Sequence, residues 1–124
     1  MQVWANGQLL DHPDQPVLSI LDHGFTVGDG VFEAVKIVDD QPFALTLHLE
    51  RLKRSAAGLG LPEFDEGLVR KGIEAVLAGG GLPLGRLRIT YTGGPAPMGS
   101  GRGDAPPTVL GRPRTNRRRA RAPG

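Results

Sequence analysis

The residues that could carry out chemistry lie in two short segments. The first contains Asp22-His23-Gly24-Phe25 and, two residues later, Gly28-Asp29-Gly30-Val31-Phe32-Glu33. The second is His48-Leu49-Glu50-Arg51-Leu52. The glycine-punctuated loop is not followed by Gly-Lys-Ser or Gly-Lys-Thr, so it lacks the signature of a P-loop that cradles nucleotide phosphates. The chain has no cysteine, which excludes thiolate catalysis and disulfides.

Strand patterns surround the first segment. Asn6-Gly7 supplies the two positive-φ residues of a tight turn, which predicts a β-hairpin over residues 3–10. Side chains of alternating character between Val31 and Val38 predict a strand with two different faces. Residues 24–30 are predicted to form a loop because glycine interrupts them repeatedly.

Helical periodicity accounts for the second segment. An apolar stripe from Leu45 to Leu59 predicts a helix, with Thr46 as its N-cap. A second helix is predicted to start near Asp65 and to end at Gly79-Gly80-Gly81, before a half-buried strand over residues 86–92. Together these elements predict an α+β fold, an antiparallel sheet with two helices on one face.

Charge divides the chain into two parts. The formal charge of +2 arises because residues 111–124 contain six arginines and no acid, whereas residues 1–110 carry nine basic against thirteen acidic residues. The arginine-rich tail has two interpretations. It could bind phosphate backbones, although no aromatic residues interleave with its arginines, or it is an out-of-frame or disordered end. We favour the second interpretation, and we expect no nucleic-acid partner.

The two segments together resemble the N-terminal domain of the class IV aminotransferases, the fold-type IV enzymes that use pyridoxal 5′-phosphate (PLP). The resemblance rests on Asp22-His23-Gly24-Phe25, Gly28–Glu33 and His48–Leu52 in that order and at that spacing. It implies a class IV domain over residues 1–92, a Gly/Pro-rich interdomain connection over 93–110, and a catalytic C-terminal domain missing after the tail at 111–124. The family includes branched-chain aminotransferases, D-amino-acid aminotransferases and aminodeoxychorismate lyases.

Family membership implies roles for particular residues. Arg51 matches the arginine that contacts the PLP phosphate, and its planar guanidinium suits a phosphate dianion. Phe32 matches an aromatic position that faces the substrate pocket, which Lys36 and Arg102 are also expected to border. A surface position for Arg51 and a core position for Phe32 are the alternatives.

The chemistry of the family also needs a lysine that forms a Schiff base with PLP. None of Lys36, Lys53 and Lys71 matches that position, so no catalytic residue is assigned. No metal ligand is assigned either. Among the activities we favour aminodeoxychorismate lyase, which forms 4-aminobenzoate and pyruvate in folate synthesis, because of the compact helix after His48. A branched-chain or D-amino-acid aminotransferase is one alternative, and a truncated non-catalytic domain or a basic-tailed nucleic-acid binder is the other. Without the domain that holds the Schiff-base lysine, we expect this chain alone to be inactive. The N-terminus lacks a signal peptide and no apolar run is long enough to span a membrane, so we expect a cytoplasmic protein. The resemblance implies a homodimer that acts on a small amino substrate.

Overall fold

The computed structural model describes residues 1–97 and 107–115. Arg102 and the arginines beyond residue 115 therefore lie outside the described residues. The elements, in chain order, are β1 (Trp4–Ala5), β2 (Gln8–Leu9), α1 (His23–Thr26), β3 (Gly30–Val38), β4 (Gln41–Pro42), α2 (Leu45–Gly58), α3 (Glu66–Leu77), β5 (Leu84–Thr92) and β6 (Thr108–Thr115). None of the helices in these two ranges is long and apolar enough to cross a membrane.

The described strands form one antiparallel sheet in the order β2-β1-β6-β5-β3-β4. β3 and β5 pair along their whole length, from Gly30↔Thr92 to Val38↔Leu84. The predicted opening hairpin is present, and its turn residues Asn6 and Gly7 both have positive φ. The antiparallel α+β fold expected from the sequence is confirmed.

Helices α2 and α3 cover one face of the sheet, because each carries an apolar stripe. Alternate residues of β3 and β5 point under the helices and are almost fully buried, and the other residues of these strands face away. The resulting core contains Trp4, Val35, Ile37, Leu49, Leu52, Ala56, Leu61, Phe64, Val69, Ile73, Val76, Leu87, Ile89, Tyr91 and Val109. The opposite face of β3 and β5, which we call the outer face, carries the exposed residues of both strands.

Two local predictions were wrong. The N-cap of α2 is Ala44 rather than Thr46, and Ala44 has a left-handed backbone with φ 54° and makes no side-chain cap. Its conformation follows from the tight turn after β4, where the Phe43 N–H donates to the Lys36 carbonyl at 2.7 Å. The predicted loop at 24–30 begins with one helical turn, α1, which Asp22 caps by accepting from the Gly24 N–H.

Strand β6 continues through Thr115, past the boundary that we expected between residues 110 and 111. It pairs with β5 from Thr108↔Thr92 to Thr115↔Gly85, and with β1 through Gly111↔Trp4 and Leu110↔Ala5. The last strand of the described chain is therefore a central strand of the sheet.

Candidate functional site

A buried carboxylate organises the region around Arg51. Glu33 lies on the helix-covered face of β3 with 7% of its side chain exposed. Arg51 Nε donates to its two oxygens at 2.9 and 3.0 Å, and Arg51 Nη2 approaches Oε1 at 2.8 Å. His48 Nδ1 lies 2.8 Å from the same oxygen, and an ionised carboxylate accepts that hydrogen bond. Since Arg51 and His48 are three residues apart on α2, one helix face delivers both donors to Glu33.

The electrostatics of this cluster favour charged partners. Burial raises the pKa of Glu33, but the hydrogen bonds from Arg51 and His48 and their charges outweigh burial, so the pKa lies below its usual value. The hydrogen bond that Arg51 donates to Glu33 in turn raises the pKa of Arg51. Glu33 therefore acts as a fixed anion that anchors the guanidinium.

Arg51 keeps part of its donor capacity for a ligand. Its side chain is 60% exposed, and no hydrogen bond from Nη1 is made within residues 1–97 and 107–115. It borders a shallow cleft of about 300 Å³, whose lining consists of Ala44, Leu47, His48, Glu50, Arg51 and Arg54. A guanidinium that is held on one edge and open on the other is arranged to bind an anion.

The outer face of the sheet presents a second group of residues. Phe32 is 55% exposed, and the guanidinium carbon of Arg88 lies 4.2 Å from the centroid of its ring, a cation–π contact. Lys36 and Arg86 are exposed on the same face, where they are direct neighbours in the β3–β5 pairing. A cleft of about 310 Å³ extends from Phe32 and Arg88 toward Gly24 and Phe25.

The structure brings some of the predicted site residues together and separates others. Phe32 and Lys36 share the outer face, whereas Arg51 binds Glu33 on the helix-covered face. Arg51 and Phe32 line separate clefts that have no residue in common.

Three residues of the site were not assigned from the sequence. Glu33 and His48 belong to the quoted motifs. Glu33 was given no role, although an acid in register with Val35 and Ile37 was a signal that partners would be needed, and His48 was expected to be structural rather than catalytic. Arg88 was treated only as the polar side of an alternating strand. In the described part of the chain, no three His, Asp or Glu residues come close enough together to hold a metal ion.

Comparisons with known proteins agree with this geometry. The sequence model of the family "Amino-transferase class IV" matches residues 30–121. The chain is 42% identical over 57 residues to aminodeoxychorismate lyase of Bacillus subtilis, which covers 46% of this chain and 19% of that protein. It is 33% identical over 98 residues to D-alanine aminotransferase of Bacillus licheniformis, with 78% and 34% covered.

A solved structure gives the same result. The PLP-bound form of a hypothetical aminotransferase from Mycobacterium tuberculosis superimposes with a TM-score of 0.79 at 30% identity, covering 93% of this chain and 39% of that one. The fold and the site therefore define a domain of a PLP-dependent enzyme class. The chain belongs to the class IV aminotransferase family, and it spans between about a fifth and two fifths of the length of these relatives.

Proposed function

We propose that this domain forms the phosphate-side wall and the substrate-side wall of a PLP-dependent active site. The observation that carries the proposal is the guanidinium of Arg51, anchored on the buried Glu33 and exposed beside the 300 Å³ cleft. The donors present fit the group, because Arg51 keeps an outward-facing edge for a phosphate. PLP, when bound, supplies an electron-withdrawing ring that stabilises negative charge on the substrate carbon.

Within that site, Arg51 binds and orients the phosphate. Glu33, which also accepts from His48, holds the guanidinium so that little side-chain freedom is lost on binding. Phe32 provides an apolar wall on the outer face and fixes Arg88 by stacking, and Lys36 adds a second cation on the same face. These cations suit a substrate that carries carboxylates.

We propose aminodeoxychorismate lyase as the activity, with formation of 4-aminobenzoate and pyruvate. The cationic outer face, with Lys36, Arg86 and Arg88, supports a substrate with more than one carboxylate. Similarity to the lyase of B. subtilis supports it too, although similarity to a D-alanine aminotransferase supports transamination as the second candidate. We further propose that the protein is cytoplasmic. We also propose that it forms a homodimer, because Ile20 and Phe25 expose 74% and 72% of their surfaces and suit a protein interface.

Two assays of the full gene product that carries this domain separate the activities. With 4-amino-4-deoxychorismate, the lyase forms 4-aminobenzoate, followed by its fluorescence, without consuming a keto acid. An aminotransferase instead converts D-alanine or a branched-chain amino acid only when 2-oxoglutarate is present. Activity in the second assay alone would reject the proposed lyase activity, and it would remain consistent with the class IV aminotransferase family.

The cofactor role of Arg51 is tested by PLP titration. Arg51→Ala should weaken PLP binding by roughly 30-fold, since a charge-assisted phosphate contact is lost. Arg51→Lys should recover only part of the affinity because an ammonium cannot form the planar fork. Arg54→Ala, which removes an exposed arginine from the same cleft without touching Glu33, is the matched control. Equal affinity for the wild type and Arg51→Ala would remove Arg51 from the cofactor site.

A further inference from the structure

The motif Asp22-His23-Gly24 ties two distant strands together through a buried carboxylate. Asp22 is fully buried. Its Oδ2 accepts from the hydroxyls of Thr92, at 3.1 Å, and Thr108, at 2.8 Å, and its Oδ1 accepts from the Gly24 N–H at 2.8 Å. The end of β5 and the start of β6 therefore both converge on this one side chain.

His23 extends this connection to the chain that leaves β5. The ring is fully buried, and Nε2 lies 2.9 Å from the Pro97 carbonyl oxygen. Because a carbonyl can only accept, Nε2 carries the proton. The backbone of His23 also donates to the Gly94 carbonyl at 2.9 Å, while Nδ1 lies 3.4 Å from Asp29 Oδ2 without hydrogen-bond geometry.

Further backbone bonds complete the attachment of residues 93–97. The Gly93 N–H donates to the Asp29 carbonyl at 2.9 Å, and the Ala96 N–H donates to the Leu21 carbonyl at 3.1 Å. Gly24 permits this close approach, since a Cβ at that position would lie 2.9 Å from Thr92 Cβ and closer still to its methyl group. The motif thus explains a glycine and a histidine for which the cofactor chemistry has no use.

The position of this attachment links it to the candidate site. Asp22, Gly24 and Thr92 line the 310 Å³ cleft whose other wall contains Phe32 and Arg88. We infer that His23 is a positioning residue: its Nε2–H holds Pro97 and fixes the chain that leaves β5 against the cleft. This inference deepens the proposed function, on which its meaning for substrate binding rests.

The test compares two amides that mimic different ring nitrogens. Gln at position 23 can place its amide nitrogen near the position of Nε2 and keep the donor to Pro97, whereas Asn reaches only the position of Nδ1. Amide hydrogen exchange is measured by NMR for Gly94 and Ala96 and, as internal controls, for Leu87 and Ile89 in the middle of β5. In His23→Asn we expect exchange of Gly94 and Ala96 to be about tenfold faster, as loss of a buried hydrogen bond allows, and in His23→Gln close to the wild-type rate.

Two exchange results would overturn the inference. Equal acceleration at Gly94, Ala96, Leu87 and Ile89 would make His23 a residue of general stability, and unchanged exchange in His23→Asn would leave Pro97 held by other contacts. If His23→Asn does not fold, the inference is tested by finding which ring nitrogen of His23 carries the proton in the wild type. The chain has three histidines, so His12→Gln and His48→Gln assign the ¹⁵N signals, and a His23 ring without a proton on Nε2 would also refute the inference. These measurements need neither PLP nor substrate, so a failure of the proposed function is seen separately.

Discussion

Replacing Glu33 by glutamine removes one charge from the centre of the Arg51 cluster while keeping the shape of the side chain. The oxygen pair of Glu33 accepts from Arg51 and from His48, and both oxygens face Arg51 Nε. In E33Q one of these acceptors becomes an NH2 group that faces other donors. The substitution therefore loses hydrogen bonds and places donors against each other.

The magnitude follows from the burial of each partner. A hydrogen bond to a charged group contributes about 1.5–3 kcal/mol when buried, which applies to His48, whose side chain is 20% exposed. The ion pair with Arg51 is expected to contribute less to the free energy of unfolding, because the Arg51 side chain is 60% exposed and its charge is screened by water. We expect E33Q to lower the free energy of unfolding by about 2 kcal/mol at neutral pH.

The pH dependence gives the prediction a sign. The folded-state pKa of Glu33 lies below 4.5, so its stabilising contribution is present above that pH and is lost as the pH falls through the folded-state value. The free energies of unfolding of the wild type and E33Q, measured with urea at pH 7 and at decreasing pH, should converge in acid. The control is Glu50→Gln, which changes an exposed acid on α2, the helix that carries His48 and Arg51. Its free energy of unfolding should stay within about 0.5 kcal/mol of the wild-type value. Equal stability of E33Q and the wild type at pH 7 would refute the reasoning.

Three further predictions concern the core and the lysines. Gly72→Ala should destabilise the fold by about 1–3 kcal/mol in urea titrations, because its Cβ would lie 2.6 Å from Trp4 Cδ2; Gly58→Ala, with nothing within 4 Å, should be neutral or slightly stabilising, and equal losses would contradict the packing argument. Burial raises the pKa of Tyr91, the single tyrosine of the chain, so its absorbance at 295 nm should titrate above pH 10 in the folded protein and stability should fall as it ionises. All three lysines are at least partly exposed, so borohydride treatment of the 124-residue chain with PLP should give distributed labelling, and one stoichiometric adduct would contradict this.

The elements that depend on local patterns were predictable from the sequence. The opening hairpin, β3, α2, α3 and β5 each carry a periodicity or a turn signal within a few residues, and Asp65 caps α3 as expected through the Leu68 N–H at 3.1 Å. The start of α2 was not predictable, because the left-handed Ala44 depends on a bond between Phe43 and Lys36 across a turn. Strand β6 had no signal after Leu110, since Pro113 and the neighbouring arginines do not form a strand pattern.

The site was predictable only in part. Arg51 and Phe32 came from the motifs, and their partners came from tertiary structure. Glu33 meets His48 and Arg51 because α2 packs across β3, 15 and 18 residues away in sequence. Arg88 lies over Phe32 because of the β3–β5 register, which no single segment encodes. The side chain that needs a partner can be recognised from one segment, but the partner cannot.

The place of β6 in the sheet has a consequence for how the chain folds during synthesis. The hairpin of β1 and β2 precedes the other described elements in sequence, yet within residues 1–97 and 107–115 it joins the sheet only through β6, which is more than 100 residues later. Closing so long a loop slows folding relative to a protein of local contacts. The helices and the β3–β5 pair can assemble first, whereas Trp4 can pair with Gly111 only after residue 111 has been synthesised. We expect the hairpin of the nascent chain to stay unpaired with the sheet until residues 108–111 emerge.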